Sequence, residues 1–273
     1  MIEARETFEV KFGPTEGLTD TPTHYCPGCE HGILTHLIGD TLASLKIHRK
    51  TVMVNSVGCS VIAYNYFNCD HIQSPHGRAP AVMAGIKRVH PELITYSIQG
   101  DGDGLAIGLL ETMYAAIRGE PITIFLVNNA IYGMTGGQMA PTTLKDQVTT
   151  TTPYGRNTDY TGEPLDICKI LSTIEKAAYV RRGVLAITRV ETPRGAVYHA
   201  KNVLEARKLV ENAFRVQMLG GFSLVEFLGS CNVNWRMSIL DAKRFVQESM
   251  VRQYPPGVYR DTFHIEQESR IER

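Results

Sequence analysis

The chain has 273 residues with 28 basic and 28 acidic side chains, so its formal net charge is zero, and no run of Lys or Arg favours nucleic acid or an anionic membrane as a partner. Its first residues are too charged for a signal peptide, and no apolar run approaches membrane-spanning length. We therefore expect a cytoplasmic protein built as one large α/β domain or two small ones.

Residues 1–23 are polar, contain several Gly and Pro residues, and are predicted to form an N-terminal arm that contacts a partner. The motif Cys26-Pro27-Gly28-Cys29 follows, and apolar residues at helical spacing begin shortly after it. The two cysteines thus lie on a tight turn at the start of a helix, where the helix dipole and free N–H groups favour thiolate. In a reducing compartment this motif is more typical of a metal or redox site than of a disulfide.

Two more cysteines follow the ends of predicted strands. Residues 51–57 are predicted to form a strand that leads to Cys59, and residues 221–228 form another that leads to Cys231. Four thiolates in this arrangement suit a [4Fe-4S] cluster, and a tetrahedral Cys₄ zinc site is the alternative that stays open. The other two cysteines lie outside the pattern and are expected to be small buried side chains: Cys69 and Cys168.

A turn rich in Pro and Gly at 74–80 precedes a predicted helix at 81–89. His76 and Arg78 in this turn are placed to donate hydrogen bonds to a diphosphate near the start of the helix. The alternative is a capped loop in which Arg78 is solvated.

The next stretch has the order strand, glycine turn, helix, strand. A buried-strand pattern at 92–98 precedes a Gly-Asp-Gly turn at 100–102, a helix is predicted over 105–118, and a strand over 121–129 ends in two asparagines. A parallel crossover of this kind brings the ends of successive strands to the same edge of a sheet.

Asp101 and Asn129 are therefore expected to meet at that edge. A carboxylate, an amide oxygen and a nearby backbone carbonyl are suitable ligands for Mg²⁺, which keeps its other positions for diphosphate oxygens. Gly100 and Gly102 let the backbone approach an anionic ligand at the start of the helix.

The Gly-rich loop 132–138 is predicted to lie over this metal site, with Met134 and Thr135 near a cofactor. Residues 141–164 are predicted to form a long functional loop or a subunit contact. The remaining predicted elements are a helix at 165–176, a strand at 178–181, a helix from about 200 to 219 and an amphipathic helix near 241–251.

In this order the motifs resemble the β subunit of the 2-oxoacid:ferredoxin oxidoreductases, which binds thiamine diphosphate (ThDP). The resemblance covers roughly residues 20–235 and rests on the Cys-Pro-Gly-Cys, Gly-Cys-Ser, His-Gly-Arg, Gly-Asp-Gly and Asn-Asn motifs, the loop 132–138 and the final Ser-Cys. It implies an α/β fold in which a parallel sheet carries helices on both faces. We therefore divide the chain into an arm at 1–23, a ThDP-binding domain with the cluster site at 24–235, and a C-terminal extension at 236–273.

The resemblance also implies three cofactors, namely ThDP, Mg²⁺ and a [4Fe-4S] cluster. The implied cluster ligands are Cys26, Cys29, Cys59 and Cys231. The implied Mg²⁺ ligands are Asp101, Asn129 and the backbone carbonyl of Ile131. The implied ThDP contacts are Gly58, Cys59, His76, Gly77, Gly100, Gly102, Met134 and Thr135, with Met134 also near the substrate.

The implied activity is the coenzyme A-dependent oxidative decarboxylation of a 2-oxoacid of the 2-oxoisovalerate or 2-oxoglutarate type, with electrons passed to ferredoxin or a ferredoxin-like subunit. No residue of this chain is an obvious proton-transfer base for the cofactor, so an α subunit carrying the pyrimidine and coenzyme A sites is expected. The rival interpretations are a non-redox ThDP-dependent lyase or decarboxylase, and a zinc-binding assembly subunit without ThDP.

Two positions depart from the family pattern. Glu30 stands where a Gly usually follows the Cys-Pro-Gly-Cys motif, and it adds a charge near the expected cluster without removing a ligand. Family members that take 2-oxoglutarate often carry a basic residue shortly after the third cysteine, where this chain has Val61-Ile62-Ala63-Tyr64. This favours an apolar 2-oxoacid such as 2-oxoisovalerate over 2-oxoglutarate.

Overall fold

The computed structural model describes residues 15–192, 195–199 and 201–265. The first fourteen residues of the predicted arm, and the tail beyond residue 265, lie outside the described residues. The helices in the described ranges are α1 (His31–Ser44), α2 (Ala79–Val89), α3 (Leu109–Arg118), α4 (Thr158–Thr161), α5 (Ile167–Ser172), α6 (Lys201–Met218), α7 (Ile239–Phe245) and α8 (Val251–Gln253). In the same ranges, we find no helix with both the length and the apolarity needed to cross a bilayer.

The strands are β1 (Thr51–Asn55), β2 (Asp70–Gln73), β3 (Ile94–Gly100), β4 (Thr123–Asn128), β5 (Tyr179–Val184), β6 (Thr188–Thr192), β7 (Gly195–His199), β8 (Ser223–Leu228) and β9 (Gly257–Asp261). Seven of them form one sheet in the order β2-β1-β3-β4-β8-β5-β9, while β6 and β7 pair separately as an antiparallel hairpin. All neighbours in the large sheet are parallel except β9, which runs antiparallel to β5. The expected α/β fold with a mostly parallel sheet is confirmed.

The central strands are buried on both sides, as their continuous apolar sequences require. Every residue of β1, β4 and β8 is buried. Side chains that alternate along β4 enter two different cores, because Phe125 packs with α1 and α6 whereas Leu126 packs with α2, α3 and α5. Helices therefore cover both faces and leave the strand ends as the place for a site.

The four strands β1, β3, β4 and β8 are consecutive in the sheet and parallel, so their C-terminal ends lie at one edge. The segments that follow them begin at residues 56, 101, 129 and 229. Each of the predicted metal ligands after a strand is therefore delivered to this edge, which is where α/β sheets bind their ligands.

Some elements differ from the sequence prediction. The predicted helix 105–118 is interrupted at Gly108, with a π-helical turn over 103–107 before α3. Strands β2, β6, β7 and β9 were not predicted, because they are short or carry many polar residues. The last of these joins the main sheet beside β5, so the described part of the C-terminal extension contributes a strand as well as helices.

Candidate functional site

Four cysteines surround one cavity of about 380 Å³ at the C-terminal edge of the sheet. Cys26 and Cys29 come from the turn that precedes α1, Cys59 from the segment after β1, and Cys231 from the segment after β8. All are free thiols. The four predicted cluster ligands are therefore brought together from sequence positions that span most of the chain.

Gly133 keeps the space between two of these sulfurs open. A Cβ atom at this position would lie 3.4 Å from Cys231 Sγ and 3.6 Å from Cys59 Sγ, so a larger side chain would enter the thiol cavity. The carbonyl of Gly133 accepts a hydrogen bond of 2.7 Å from Asn234 Nδ2, which also donates to Cys231 Sγ at 3.4 Å. The loop that begins at Tyr132 is thus tied to the segment that carries Cys231.

Burial favours the protonated form of two of the thiols. It raises the pKa of Cys29 to about 12 and that of Cys59 to about 11, and the neighbouring cysteines add to both shifts. The prediction that the start of α1 favours thiolate is therefore wrong for Cys29, because desolvation outweighs the helix dipole. Without a metal these thiols are protonated near pH 7, so a metal that binds them must displace protons.

His31 lies between the thiols and the rest of the site. Its Nδ1 is 3.1 Å from Cys29 Sγ, within hydrogen-bonding distance of the sulfur. Burial lowers the pKa of His31 to about 4, so the imidazole is neutral near pH 7. It therefore contributes a hydrogen-bonding group next to Cys29 without adding a charge.

Asp101 is only 2% exposed and is held by two donors. The N–H of Gly102 donates to Oδ1 at 2.9 Å, and the hydroxyl of Thr142 donates to Oδ2. Burial raises the pKa of Asp101 to about 7, although these hydrogen bonds and the N–H groups of the Asn129 turn oppose the shift. A carboxylate in this position is stabilised when a cation binds to it.

Asn129 supplies the second oxygen. Its Oδ1 is buried and has no hydrogen-bond partner among the residues that the structure describes. An unpaired buried amide oxygen is costly in a native protein unless a ligand satisfies it. Together with the Asp101 carboxylate, this orphaned oxygen fits the donor set that Mg²⁺ prefers.

The turn that carries Asn129 is fixed by hydrogen bonds of the Asn128 side chain. Asn128 Nδ2 donates to Glu226 Oε1 at 2.7 Å, and Asn128 Oδ1 accepts from the N–H of Ala130 at 3.1 Å. Ala130 has a φ of 55°, a left-handed conformation that few non-glycine residues adopt. Of the two predicted asparagines, Asn128 holds the turn and Asn129 faces the site.

A second cavity, of about 90 Å³, adjoins the thiol cavity. The two share five lining residues, namely His31, Cys59, Asn129, Gly133 and Met134. The second cavity is also lined by the predicted cofactor contacts Gly58, His76, Gly100, Gly102 and Thr135, together with Asp101 and Ile131. The sulfur-rich and oxygen-rich parts of the site thus have a common wall.

The turn before α2 contributes one of its two predicted donors to this cavity. His76 Nδ1 lies 2.5 Å from the buried Oδ1 of Asp103, which also accepts the N–H of Gly77 at 2.7 Å. Gly77 has a φ of +77°, and a Cβ there would lie 2.6 Å from Gly108 N. Arg78 instead pairs with Glu111 at 2.5 Å and is about half exposed, which agrees with the alternative of a solvated arginine.

The glycines of the site differ in the space that is available for a Cβ atom. A Cβ at Gly58 or Gly100 would meet nothing within 4 Å, which leaves room for a ligand. At Gly102 a Cβ would lie 2.2 Å from the ring of Tyr132, whose hydroxyl donates to the Gly102 carbonyl at 3.2 Å. Gly102 therefore accommodates the chain's own loop 132–138. In that loop the Met134 side chain is 58% exposed.

Several residues that support the site were not identified from the sequence. Thr142 reaches Asp101 from the loop 141–164, and this loop is held by Arg156, which donates to the carbonyls of Pro141 and Gly162, each at 2.9 Å. Asp103, adjacent to the Gly-Asp-Gly turn, could have been found as a second buried acid. No local pattern marks Thr142, because its role depends on the path of a long loop.

In the described ranges, no three His, Cys, Asp or Glu side chains form a group arranged to hold a single metal ion. Cys69 and Cys168 do not line the thiol cavity. Cys168 is fully buried in α5, where its thiol donates to Glu226 Oε2 at 3.2 Å.

Comparison with known proteins adds a family to this geometry. The family described as "Thiamine pyrophosphate enzyme, C-terminal TPP binding domain" matches residues 56–211. Among curated proteins, ketoisovalerate oxidoreductase subunit VorA of Methanothermobacter thermautotrophicus is 44% identical over 246 residues, which are 90% of this chain and 49% of the relative. The 2-oxoglutarate synthase subunit KorB of Archaeoglobus fulgidus is 34% identical over 85% of this chain and 78% of its own length.

The chain therefore spans about half the length of the VorA relative. Among solved structures, a 2-oxoglutarate:ferredoxin oxidoreductase from Magnetococcus marinus matches with a TM-score of 0.72 and 24% identity. The match covers 100% of this chain and 93% of that one. At this identity the likeness bears on the fold.

We predict that Gly102→Ala destabilises the protein by about 1–3 kcal/mol, because the added methyl overlaps the Tyr132 ring. The φ of −64° at this position is available to alanine, so backbone strain does not contribute. Urea unfolding measures the effect, and Gly100→Ala is the matched control, expected to change stability by less than ~1 kcal/mol. Equal stabilities of the two variants would show that the ring does not occupy this space.

Proposed function

We propose a function for this chain from its family, because it belongs to the ThDP-binding subunits of the 2-oxoacid:ferredoxin oxidoreductases. In this proposal it holds ThDP, Mg²⁺ and a [4Fe-4S] cluster for the coenzyme A-dependent oxidative decarboxylation of a 2-oxoacid. The observation that carries this proposal is the common wall between the thiol cavity and the Asp101 and Asn129 cavity. A redox enzyme needs an electron acceptor beside its organic cofactor. A non-redox ThDP lyase has no use for four convergent thiols.

Asp101, Asn129 and the backbone carbonyl of Ile131 hold Mg²⁺ in this proposal. The ion keeps its other positions for diphosphate oxygens, as Mg²⁺ commonly does. Thr142 fixes the orientation of the Asp101 carboxylate through its hydroxyl, and such supporting hydrogen bonds contribute to metal affinity. Gly58 and Gly100, with open space above them, let the backbone approach the diphosphate.

His76 acts as a donor towards the diphosphate. Asp103 accepts a hydrogen bond from the N–H of Gly77 and lies 2.5 Å from His76 Nδ1, and so holds the turn at the start of α2 in a fixed conformation. The N-terminus of α2 adds a partial positive charge on the same side. When bound, ThDP supplies the electron sink for loss of CO₂ from the 2-oxoacid.

Cys26, Cys29, Cys59 and Cys231 hold the cluster in this proposal. The four cysteines come from three separate segments of the chain, whereas a zinc site would normally combine two Cys-x-x-Cys motifs in one compact module. This spacing favours a [4Fe-4S] cluster over zinc. His31 and Asn234, which lie at hydrogen-bonding distance from two of the sulfurs, then contribute to the reduction potential.

The substrate we propose is a branched-chain 2-oxoacid of the 2-oxoisovalerate type. Identity is 44% to the ketoisovalerate oxidoreductase subunit and 34% to the 2-oxoglutarate synthase subunit. The segment 61–64 after Cys59 carries no basic side chain that would pair with a second carboxylate. An apolar 2-oxoacid does not need that partner.

The proposed partners are an α subunit, which carries the pyrimidine and coenzyme A sites, and ferredoxin or a ferredoxin-like subunit. The exposed Met134 at the mouth of both cavities supports this, because a large apolar side chain beside a site is well placed for burial by another surface. The proposal predicts that the chain is inactive until the α subunit is present.

We expect Cys231→Ser to lower bound iron from ~4 atoms per chain towards zero and to remove the visible absorbance of the cluster, while ThDP binding persists. The Cys231 thiol lines the cavity, and the hydroxyl of the serine that replaces it is a poorer ligand for iron than a thiolate. Iron analysis and absorption spectra of the anaerobically purified protein measure this. Cys69→Ser, outside the cavity, is the control and should keep its iron. Full iron content in the Cys231 variant would remove this residue from the ligand set.

Asp101→Ala should weaken Mg²⁺-dependent ThDP binding by ~100-fold or more, since loss of a group that only orients a ligand already costs ~10–100-fold. Calorimetric titration of the complex with ThDP at fixed Mg²⁺ gives the affinity. Asp159→Ala, which removes an exposed carboxylate away from the site, serves as the control. Unchanged affinity in the Asp101 variant would exclude the proposed ion site.

With the α subunit and coenzyme A present, kcat/KM for 2-oxoisovalerate should exceed that for 2-oxoglutarate by ~10-fold or more, because a second carboxylate would be buried without a cation. Reduction of a viologen dye across a panel of 2-oxoacids measures this ratio. A preference for 2-oxoglutarate would contradict the substrate assignment but leave the cofactor assignments standing.

A further inference from the structure

The side chain of Glu30 connects the turn that carries Cys29 to the segment that carries Cys231. It follows Cys29 directly and is 1% exposed, yet its side chain does not cap α1. Instead its Oε2 accepts two hydrogen bonds from Ser230, one from the N–H at 2.7 Å and one from the hydroxyl at 2.8 Å. The residue after one expected ligand is thus joined to the residue before Cys231.

Lys243 of α7 completes this contact. Its ammonium group pairs with the other carboxylate oxygen of Glu30, donates to the carbonyl of Gly28, and donates to Ser230 Oγ at 3.1 Å. Its side chain is 16% exposed and that of Glu30 is 1% exposed, so the pair is largely withdrawn from water. A charge in this position is therefore weakly screened.

The same helix packs on the Cys-Pro-Gly-Cys turn. A Cβ at Gly28 would lie 2.8 Å from the side chain of Ile239, one turn before Lys243. Gly28 has a φ of +86°, so the turn needs glycine for its backbone as well as for this contact. The side chains of α7 thus contact both cysteine-bearing segments.

We propose that Glu30 and Lys243 are positioning residues for the iron–sulfur cluster. Their ion pair fixes the separation between the Cys26–Cys29 turn and Cys231, and each charge cancels the field of the other at the cluster. This inference rests on the proposed function, because it takes the four cysteines as cluster ligands. It also assigns a role to Glu30, whose charge alone would disfavour an added electron nearby.

An ion pair that only anchored α7 would behave differently. Either substitution would then loosen the helix in the same way and move the cluster's reduction potential in one direction or not at all. If the charges act on the cluster, removal of each must shift the potential in opposite directions. Lys243→Met leaves a buried carboxylate and should lower the potential, whereas Glu30→Gln leaves an ammonium and should raise it.

The test is a redox titration of the cluster in the assembled complex, followed by electron paramagnetic resonance. We expect opposite shifts for Glu30→Gln and Lys243→Met, and an intermediate value for the double variant. Arg244→Met is the matched control, because Arg244 is the next residue on α7, pairs with Asp241 at 3.2 Å and is 56% exposed. Loss of the Arg244 charge should leave the reduction potential of the cluster unchanged, because water screens an exposed charge.

Shifts of the same sign, or no shift in variants that keep their cluster, would overturn the inference and leave the proposed function intact. A wild-type complex without iron would instead overturn the proposed function. Should a variant lose its cluster, its iron content gives a second measurement. Loss of iron in Glu30→Gln and Lys243→Met, with full iron in Arg244→Met, would support the positioning role, and equal loss in Arg244→Met would overturn it.

Discussion

The arrangement of four neighbouring parallel strands is the constraint on which the site depends. β1, β3, β4 and β8 end at one edge, and each is followed by a residue that lines one or both of the two adjoining cavities. The pairing of Gly100 with Val127 and of Asn128 with Leu228 fixes the register of these strands, and so fixes where each strand ends along the sheet. A slip of one residue would displace a ligand by about 3.3 Å, far beyond the ~0.2 Å tolerance of a metal site. Burial on both faces prevents such a slip.

Desolvation is the second common element of the site. It raises the pKa of Cys29, of Cys59 and of Asp101, so the charged forms of these three side chains are disfavoured in the chain without ligands. A bound cation reverses this preference, because the same low dielectric that penalises a lone charge strengthens its interaction with a metal. The proposed cofactors are thus what make the charged forms of these side chains stable.

The sequence predicted those parts of the site that depend on local pattern. Cys59, Asp101, Asn129 and Cys231 each follow an apolar run at a turn, and parallel pairing then places them together. The protonation of Cys29 was misjudged, since burial is a tertiary property that the turn does not reveal. Thr142 and Lys243 reach the site from distant segments whose path no local pattern specifies. Strand β9 was missed for a related reason, because its short sequence carries charged residues at an edge.

The position of β8 bears on how the protein is made. This strand lies between β4 and β5 in the sheet, although it is synthesised after both, and Ser230 stands 200 residues beyond Glu30. On the ribosome, the two halves of the sheet therefore have no shared partner until β8 has emerged. The first two thiols are present long before the last one. If the four thiols hold the proposed cluster, its delivery has to wait for the late insertion of this central strand. A nascent chain stalled before that point would expose an unfilled gap in its sheet.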